Sequence, residues 1–348
     1  MSAVQNVEVD ADGEEQRLDR WFRRKFPHVP QGRIEKMCRK GEIRVDGGRV
    51  KASTRLMPGQ MVRVPPLPEA DERPLRKAEA KTVSDADASM IRAAVIYRDD
   101  HIIALNKPAG LAVQGGSGQT RHVDGLAEAL KFDLPDKPKL VHRLDKDTSG
   151  VLLLARTGRM ATLLIKAFGA RSTRKIYWAA VAGSPVPKMG TIKFAVLKAA
   201  GHGPHGAGEK MICIHPDELA EHPGAKYATT DYSVLEQAGK RVSWVAMVPV
   251  TGRTHQLRAH MAEIGHPVIG DGKYGTNRQT NEGDGWGAQL GGDISRKLHL
   301  HARSLSLVHP ITGANLLFTA PLPTHMQKTW DMFSWAAKWA PVDPFDVE

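Results

Sequence analysis

The chain has 348 residues, 41% of them hydrophobic and 25% charged, and its 49 Lys plus Arg against 38 Asp plus Glu leave a formal charge of +11. That length suggests two globular units, and the composition excludes a disordered chain, a collagen-like fibre and a coiled coil. No stretch of about 18 uninterrupted apolar residues exists to span a membrane, the acidic N-terminus MSAVQNVEVDADGEE lacks the apolar core of a signal peptide, and Cys38 and Cys213 cannot form a disulfide framework or a Cys-based zinc site. The cytoplasm is the expected compartment.

Residues 1–16 read as an N-terminal extension. Between Arg17 and Val64 there are 14 Lys or Arg and four Asp or Glu, a net +10 that accounts for almost all of the chain's surplus. Leu18, Trp21, Phe22 and Phe26 recur at helical spacing with basic residues between them, and Pro27 and Pro30 close that helix. A second helix is predicted over 32–40, with Ile34 and Met37 on one face and Arg33, Lys36, Arg39 and Lys40 on the other, ended by Gly41. Ile43 and Val45, the Asp46-Gly47-Gly48 turn, Val50 and the run Met61–Val64 then read as short strands. One sign of charge concentrated on so small a unit favours phosphate contact.

This segment, with RLDRWFRRKFP, GRIEKMCRKGEIRVDGGRVK and LMPGQMVRV, resembles the S4 RNA-binding domain. The resemblance implies RNA contact through Arg17, Arg33, Lys36, Arg39 and Lys40. Residues 65–90, rich in Pro, Ala and charge, read as a linker, and a larger unit is expected over 91–325. There AVIYRDDHIIALNKPAG suggests two strands, HVDGLAEALKF a helix, Val151–Ala155 a buried strand and ATLLIKAFG a helix, followed by strand-rich segments from KIYWAAVAG to ANLLFTAPL. The class is α+β. Two Gly-rich stretches, 201–208 and 277–292, read as insertions, and residues 326–348 as a C-terminal tail of no assigned role.

Gly270 to Gly275 satisfies the G-x-G-x-x-G pattern, but no apolar helix follows to receive a phosphate, so it reads as a turn. Among the 15 His, the pairs His255/His260 and His299/His301 lack helical i, i+4 ligand spacing and a third ligand, so no metal is expected. Three segments remain. In Val141–Gly150, VHRLDKDTSG, Asp145 precedes a buried strand and has basic neighbours. From spacing alone it is either a nucleophile or general base, or a salt-bridged turn. In Thr251–Arg258, TGRTHQLR, Thr254 is placed to cap a helix, and Arg258 either reaches inward to a carboxylate or phosphate or lies on an ordinary exposed helix face. In Arg174–Trp178, Tyr177 is either an aromatic able to stack on a base or plain core.

Together HRLDKDTSGVLLLAR, NKPAGLAV, RKIYWAAV, TGRTHQLRAHM, GHPVIGDGKYG and HARSL resemble the RluA-type RNA pseudouridine synthases over nearly all of 91–325. The resemblance implies a synthase domain with a mixed, mainly antiparallel sheet flanked by helices. It makes Asp145 the essential carboxylate, Arg258 its salt-bridge partner, Tyr177 the residue stacked on uracil, and Arg143 an aid to extruding the uridine. Asp145 either attacks C1′ or assists a glycal intermediate; both routes stay open. The reaction is an isomerisation that needs neither cofactor nor metal. The preceding S4 segment and the HVDGLAEAL helix are most similar to members acting on large-subunit ribosomal RNA. That RNA or its assembly precursor is therefore the expected partner of a monomer without an obligate protein partner or membrane. An RluD-type specificity, a transfer-RNA substrate, or a non-catalytic ribosome-assembly factor are the alternatives.

Overall fold

The computed structural model describes residues 4–10, 16–67, 83–115, 121–170, 172–199, 210–275 and 294–345. Both stretches read as insertions lie outside these residues. The chain divides into two compact units, Met1–Thr82 and Val83–Glu348.

In the smaller unit, strands β1 (Gln5–Glu8) and β2 (Gln16–Arg17) lead into helices α1 (Leu18–Lys25) and α2 (Gln31–Lys40). Strands β3 (Arg44–Val45), β4 (Gly48–Arg49), β5 (Arg55–Leu56) and β6 (Met61–Val64) follow. Leu18, Trp21 and Phe22 bury one side of α1 against Ile34, Met37 and Cys38 of α2. Gly41 ends α2 in the left-handed conformation, φ 73°, which places its N–H on the Cys38 carbonyl and which a Cβ would disfavour. The four-stranded order β1-β6-β3-β4 closes the unit, with β2 paired to β5.

The larger unit opens earlier than composition suggests. Residues Asp85–Ala93 form helix α3, its first turn capped by Ser84 Oγ, which accepts from the Asp87 N–H at 3.2 Å. Ser followed by Asp85 and Asp87 is a helix-start signature, and Ile91 is fully buried. The stretch 85–90 is therefore helix, not linker.

Next come β7 (Val95–Arg98), β8 (Ile102–Lys107), α4 (Val123–Leu126), β9 (Lys139–Leu140), β10 (Ser149–Ala155) and α5 (Gly158–Phe168). A strand-rich stretch follows: β11 (Arg174–Ala182), β12 (Met189–Lys198), β13 (Met211–Ile214), β14 (Lys226–Ala238) and β15 (Val242–Pro249). Helix α6 (Gln256–Glu263), strands β16 (Leu300–Val308) and β17 (Asn315–Thr319) and helix α7 (Thr324–Met332) complete it. The described strands build one eleven-stranded sheet of order β13-β12-β14-β15-β11-β16-β10-β8-β7, with β17 added to β16 and β9 to β10. Among the described residues its pairings are antiparallel except where β10 runs parallel to β16. The fold is α+β.

Strand alternation splits the core into two faces. On β11 and β15, Ala179, Val181, Val245 and Met247 pack under Leu257 and Met261 of α6. From the same strands, Trp178, Trp244 and Ala246 face the other way, onto Met326 and Trp330 of α7 and onto Trp335. From Val151 to Ala155 strand β10 is apolar without a break because both its sides are covered, Leu152 and Leu154 by one cluster and Val151 and Leu153 by another. The segment read as a tail is thus core, since Trp330 is fully buried and its ring centroid lies 5.5 Å from that of Trp244. Truncating a buried Trp typically costs about 3–5 kcal/mol, so Trp330→Ala is expected to destabilise the larger unit by that order. Chemical denaturation followed by far-UV circular dichroism measures the loss.

Candidate active site

The parallel pairing of β10 with β16 fixes the loop that carries Asp145. Ser149 lies opposite His301 and Gly150 opposite Ala302. A Cβ on Gly150, whose φ is +108°, would sit 2.2 Å from the Ala302 carbonyl oxygen, so only glycine permits this approach. Ser149 Oγ and His301 Nδ1 are 2.8 Å apart, and His301 Nε2 meets the Ala320 carbonyl at 3.1 Å. A carbonyl can only accept, so Nε2 carries the imidazole proton, Nδ1 is the acceptor, and the Ser149 hydroxyl donates to it.

On the other side, Lys107 is fully buried and its Nζ donates to the carbonyls of Pro108, Leu111 and Lys146 at 2.9, 2.9 and 3.0 Å. Three acceptors use all three donors of an ammonium. Burial pulls this lysine down to about 7, against the nearby charges of Asp147 and Asp145. Because Lys146 adjoins Asp145, and its carbonyl also accepts from the Gly110 N–H at 2.9 Å, the loop is tied directly beside its carboxylate.

Arg258 comes from the first turn of α6, where it is 5% exposed. Its guanidinium forms a bidentate pair with Asp271, Nε to Oδ2 at 2.6 Å and Nη2 to Oδ1 at 2.7 Å. Its remaining nitrogen, Nη1, lies 3.5 Å from Asp145 Oδ2. Arg258 therefore bridges two carboxylates, with Asp271 as its tighter partner rather than Asp145 alone. Asp271 and Tyr274 belong to the Gly270–Gly275 string, which sequence reasoning takes for a plain turn and not for part of the site. The Lys273 and Tyr274 N–H groups also donate to Asp271 Oδ1, at 2.9 and 3.1 Å.

The start of α6 also differs from the sequence reading. The N-cap is His255, left-handed at φ 52° and ψ 17° with no side-chain cap bond, and not Thr254. The preceding turn is clamped by the buried Gln256 amide. Its Nε2 donates to the Thr229 carbonyl and Thr230 Oγ1, while its Oε1 accepts from Thr251 Oγ1 and the Arg253 N–H, at 2.7–3.1 Å.

Tyr177 stands on β11 opposite Met247 and Ala302. Burial first, and the charge of Asp145 second, push its phenol well above the ordinary tyrosine range, so it stays protonated. Asp145, Arg258, Tyr177 and Arg143 line one cavity of about 460 Å³, with His142, Phe168, Lys175 and His255 among its other walls. Arg143 is exposed at its edge. In the smaller unit, Arg33, Lys36, Arg39 and Lys40 are exposed along α2. Arg17 is engaged with Asp19 at 2.6 Å and shares a recess with Arg20, Arg23 and Arg24, three basic residues that the sequence does not single out for RNA. Among the described residues no three His, Cys, Asp or Glu converge as metal ligands would.

Comparison with known proteins gives two family matches, to the RNA pseudouridylate synthase family over residues 101–263 and to the S4 domain over residues 16–62. The chain is 34% identical over 328 residues to the ribosomal large subunit pseudouridine synthase C of Vibrio cholerae, covering 93% of this chain and 95% of the relative. It is 33% identical over 397 residues to the mitochondrial RNA pseudouridine synthase 4 of Arabidopsis thaliana, covering 95% of this chain and 82% of the relative. Among solved structures, the human RNA pseudouridylate synthase domain containing 4 matches with a TM-score of 0.57 and 28% identity, over 71% of this chain and 95% of that one.

The histidines around this site bear on stability against acid. Burial pulls His142, His299 and His301 down to about 3, whereas unfolded histidine titrates near about 6.5. The unfolded chain therefore binds more protons than the folded one between those values, so stability is full above about pH 6.5 and is lost progressively as the pH falls toward 3. Thermal unfolding across pH 7.5 to 4.5 is expected to show a melting temperature that is level at the top of the range and declines below it. The decline should be shallower in His299→Gln, and a pH-independent melting temperature would contradict these assignments.

Proposed function

The chain belongs to the RNA pseudouridylate synthase family with an S4 domain ahead of the synthase domain, and from that premise we propose that it isomerises specific uridines of large-subunit ribosomal RNA, with Asp145 as its essential carboxylate. The observation that carries this reading is the convergence of Asp145, Arg258, Tyr177 and Arg143 on one cavity, within the 300–1,000 Å³ range usual for ligand sites. The ribosomal substrate is supported by similarity to relatives named for the large ribosomal subunit.

The reaction breaks the bond between uracil N1 and ribose C1′, turns the base, joins C1′ to C5, and moves a proton from C5 to N1. Nothing is added or removed. The base must leave its stack for C1′ to be reached, and an exposed Arg143 at the cavity edge suits the task of filling the vacated position. Asp145, 27% exposed beside Arg258, is the group that meets C1′ or the ribose hydrogen next to it. Arg258, its Nη1 3.5 Å from Oδ2, holds that carboxylate in place. Tyr177 lines the cavity as a neutral phenol, suited to stacking on uracil and to offering a hydrogen bond. A phenolate base at this position would oppose both burial and Asp145.

The basic face of α2, with Arg17, is proposed to anchor RNA through phosphates, leaving selection of the uridine to the larger unit. No described helix is long and apolar enough to cross a membrane. A cytoplasmic monomer working on ribosomal RNA or its assembly precursor, without an obligate protein partner, completes the proposal.

Release of tritium from RNA carrying 5-tritiated uridine measures turnover, and Asp145→Asn is expected to abolish it while retaining RNA binding. Full turnover by that variant would remove Asp145 from the mechanism. Mapping pseudouridines by carbodiimide modification and primer extension in a deletion strain checks the substrate: loss of sites is expected in large-subunit ribosomal RNA, and loss in transfer RNA alone would reassign it. Reversing charge in the full chain with Arg33→Glu and Lys36→Glu together is expected to weaken RNA binding and to flatten its dependence on log salt. The slope should fall by roughly 0.7–0.9 for each phosphate that a basic side chain no longer neutralises.

A further inference from the structure

His255 occupies a position that the roles assigned so far leave unexplained. Its backbone is left-handed, a conformation uncommon outside glycine that asparagine, aspartate and histidine adopt more readily than other residues. The turn that holds it is clamped by the Gln256 amide through Thr229, Thr230, Thr251 and Arg253. The imidazole is thereby carried into the cavity wall, where it meets Tyr274 through one nitrogen and approaches Asp145 with the other. Nδ1 lies 3.0 Å from the Tyr274 hydroxyl, and Nε2 lies 3.8 Å from Asp145 Oδ2.

The proton positions follow from the partners. The Tyr274 oxygen already accepts from the Met211 N–H at 2.8 Å. Its own O–H is then free to donate, and His255 Nδ1 is the acceptor within reach. A neutral imidazole that accepts at Nδ1 carries its proton on Nε2, the nitrogen on the Asp145 side. The charged groups facing it are Asp145 and Asp271, which favour a cationic ring, and Arg258 and Lys273, which with burial oppose it; the balance lowers its proton affinity. Tyr274, pushed up to about 12 mainly by burial, keeps its O–H for donation.

Both donors that approach Asp145 address the same oxygen. Arg258 Nη1 is 3.5 Å and His255 Nε2 is 3.8 Å from Oδ2, whereas no hydrogen bond or ion pair among the described residues reaches Oδ1. Hydrogen bonds that are long in an unliganded site commonly tighten in the reacting complex. Resting on the reading of Asp145 as the essential carboxylate, we propose that His255 is a positioning residue: oriented by the Tyr274 hydroxyl, it joins Arg258 in fixing Oδ2 and so presents Oδ1 to the ribose. Arg258, held flat by Asp271, restrains the carboxylate from one direction only. The imidazole supplies a second donor, so that rotation of the carboxylate about its Cβ–Cγ bond is resisted.

The test uses full-length protein and an in-vitro large-subunit ribosomal RNA transcript carrying 5-tritiated uridine, with kcat and KM from tritium release and a melting temperature for each variant. His255→Gln places an amide nitrogen where Nε2 stood, while His255→Asn tolerates the left-handed backbone but lacks a donor that reaches Asp145. The expected result is a kcat lowered about tenfold or more in His255→Asn at unchanged KM, and retained within about threefold in His255→Gln, since misplacing a reacting group by ångströms costs on the order of a hundredfold. Tyr274→Phe, which leaves the backbone at 255 untouched, should lower kcat as well, and His255→Asn with Tyr274→Phe should be no worse than His255→Asn alone. Wild-type kcat in His255→Asn, a loss residing in KM, or equal impairment in the Gln and Asn variants would each overturn the proposal. Should His255→Asn melt lower than the wild type, Tyr274→Phe decides: a normal kcat there also overturns it. An Asp145→Asn control separates the two readings, because turnover surviving in that variant would defeat the assignment of Asp145, whereas its loss beside a normal His255→Asn would defeat this inference alone.

Discussion

A guanidinium taken out of water must have its charge answered, and the arrangement around Arg258 follows from how that is done. Its Nε and Nη2 edge is matched to Asp271, a side chain with no solvent exposure, at 2.6 and 2.7 Å. That pairing uses the planar fork of arginine in the way that suits a carboxylate best, and it leaves Nη1 as the donor aimed at Asp145. One cation thus faces two carboxylates. The fully enclosed carboxylate anchors it and the partly exposed one is kept at longer range, able to meet a substrate. Lysine has no planar fork with which to grip one carboxylate at two points while aiming a further donor at another.

The sheet makes this geometry possible by bringing three distant parts of the chain to one place. Asp145 precedes β10, Tyr177 lies on β11, and Arg258 starts the helix after β15. Strand β16 is inserted between β10 and β11, and its close approach at Gly150 and Ala302 sets how the Asp145 loop leaves the sheet. Lys107 from β8 and the Ser149–His301 pair hold that loop from two sides, and Gln256 does the same for the turn before α6. The cavity walls are therefore held by buried polar groups whose bonding is largely spent on backbone. This is the condition for a site to keep its shape while a base is drawn into it.

Much of this was legible in the sequence where the signal is local. Trp21, Phe22, Ile34 and Met37 recur at helical spacing, Gly41 stops the second helix, and the HRLDKDTSG run sits directly before a strand whose unbroken apolar character reflects burial on both sides. The role of Asp271 was not legible, because its partner lies 13 residues earlier in another element; the GHPVIGDGKYG string marks the family resemblance without showing which of its side chains meets Arg258. Helix α3 was masked by a neighbourhood rich in Pro and charge, although Ser84, Asp85 and Asp87 are a start signal. The aromatic residues after Met332 offered no period to read. Their place is decided by the face of the sheet they cover, and only tertiary structure supplies that. His255 falls within the TGRTHQLRAHM motif, but its left-handed backbone leaves no mark in composition or spacing.

The tryptophans on the far side of the sheet make the protein its own optical gauge. Of seven in the chain, Trp178, Trp244, Trp330 and Trp335 gather in one cluster, with the centroids of neighbouring rings 4.7–6.2 Å apart. Indoles this close exchange excitation, so their emission and near-ultraviolet dichroism belong to the cluster and not to any single ring. Trp178 follows Tyr177 on the same strand, and Trp244 lies in register with Ala180. A shift of that strand pair would rearrange the cluster and the cavity wall together. Light absorbed behind the sheet thus reports on the chamber in front of it, with no label and no substrate present.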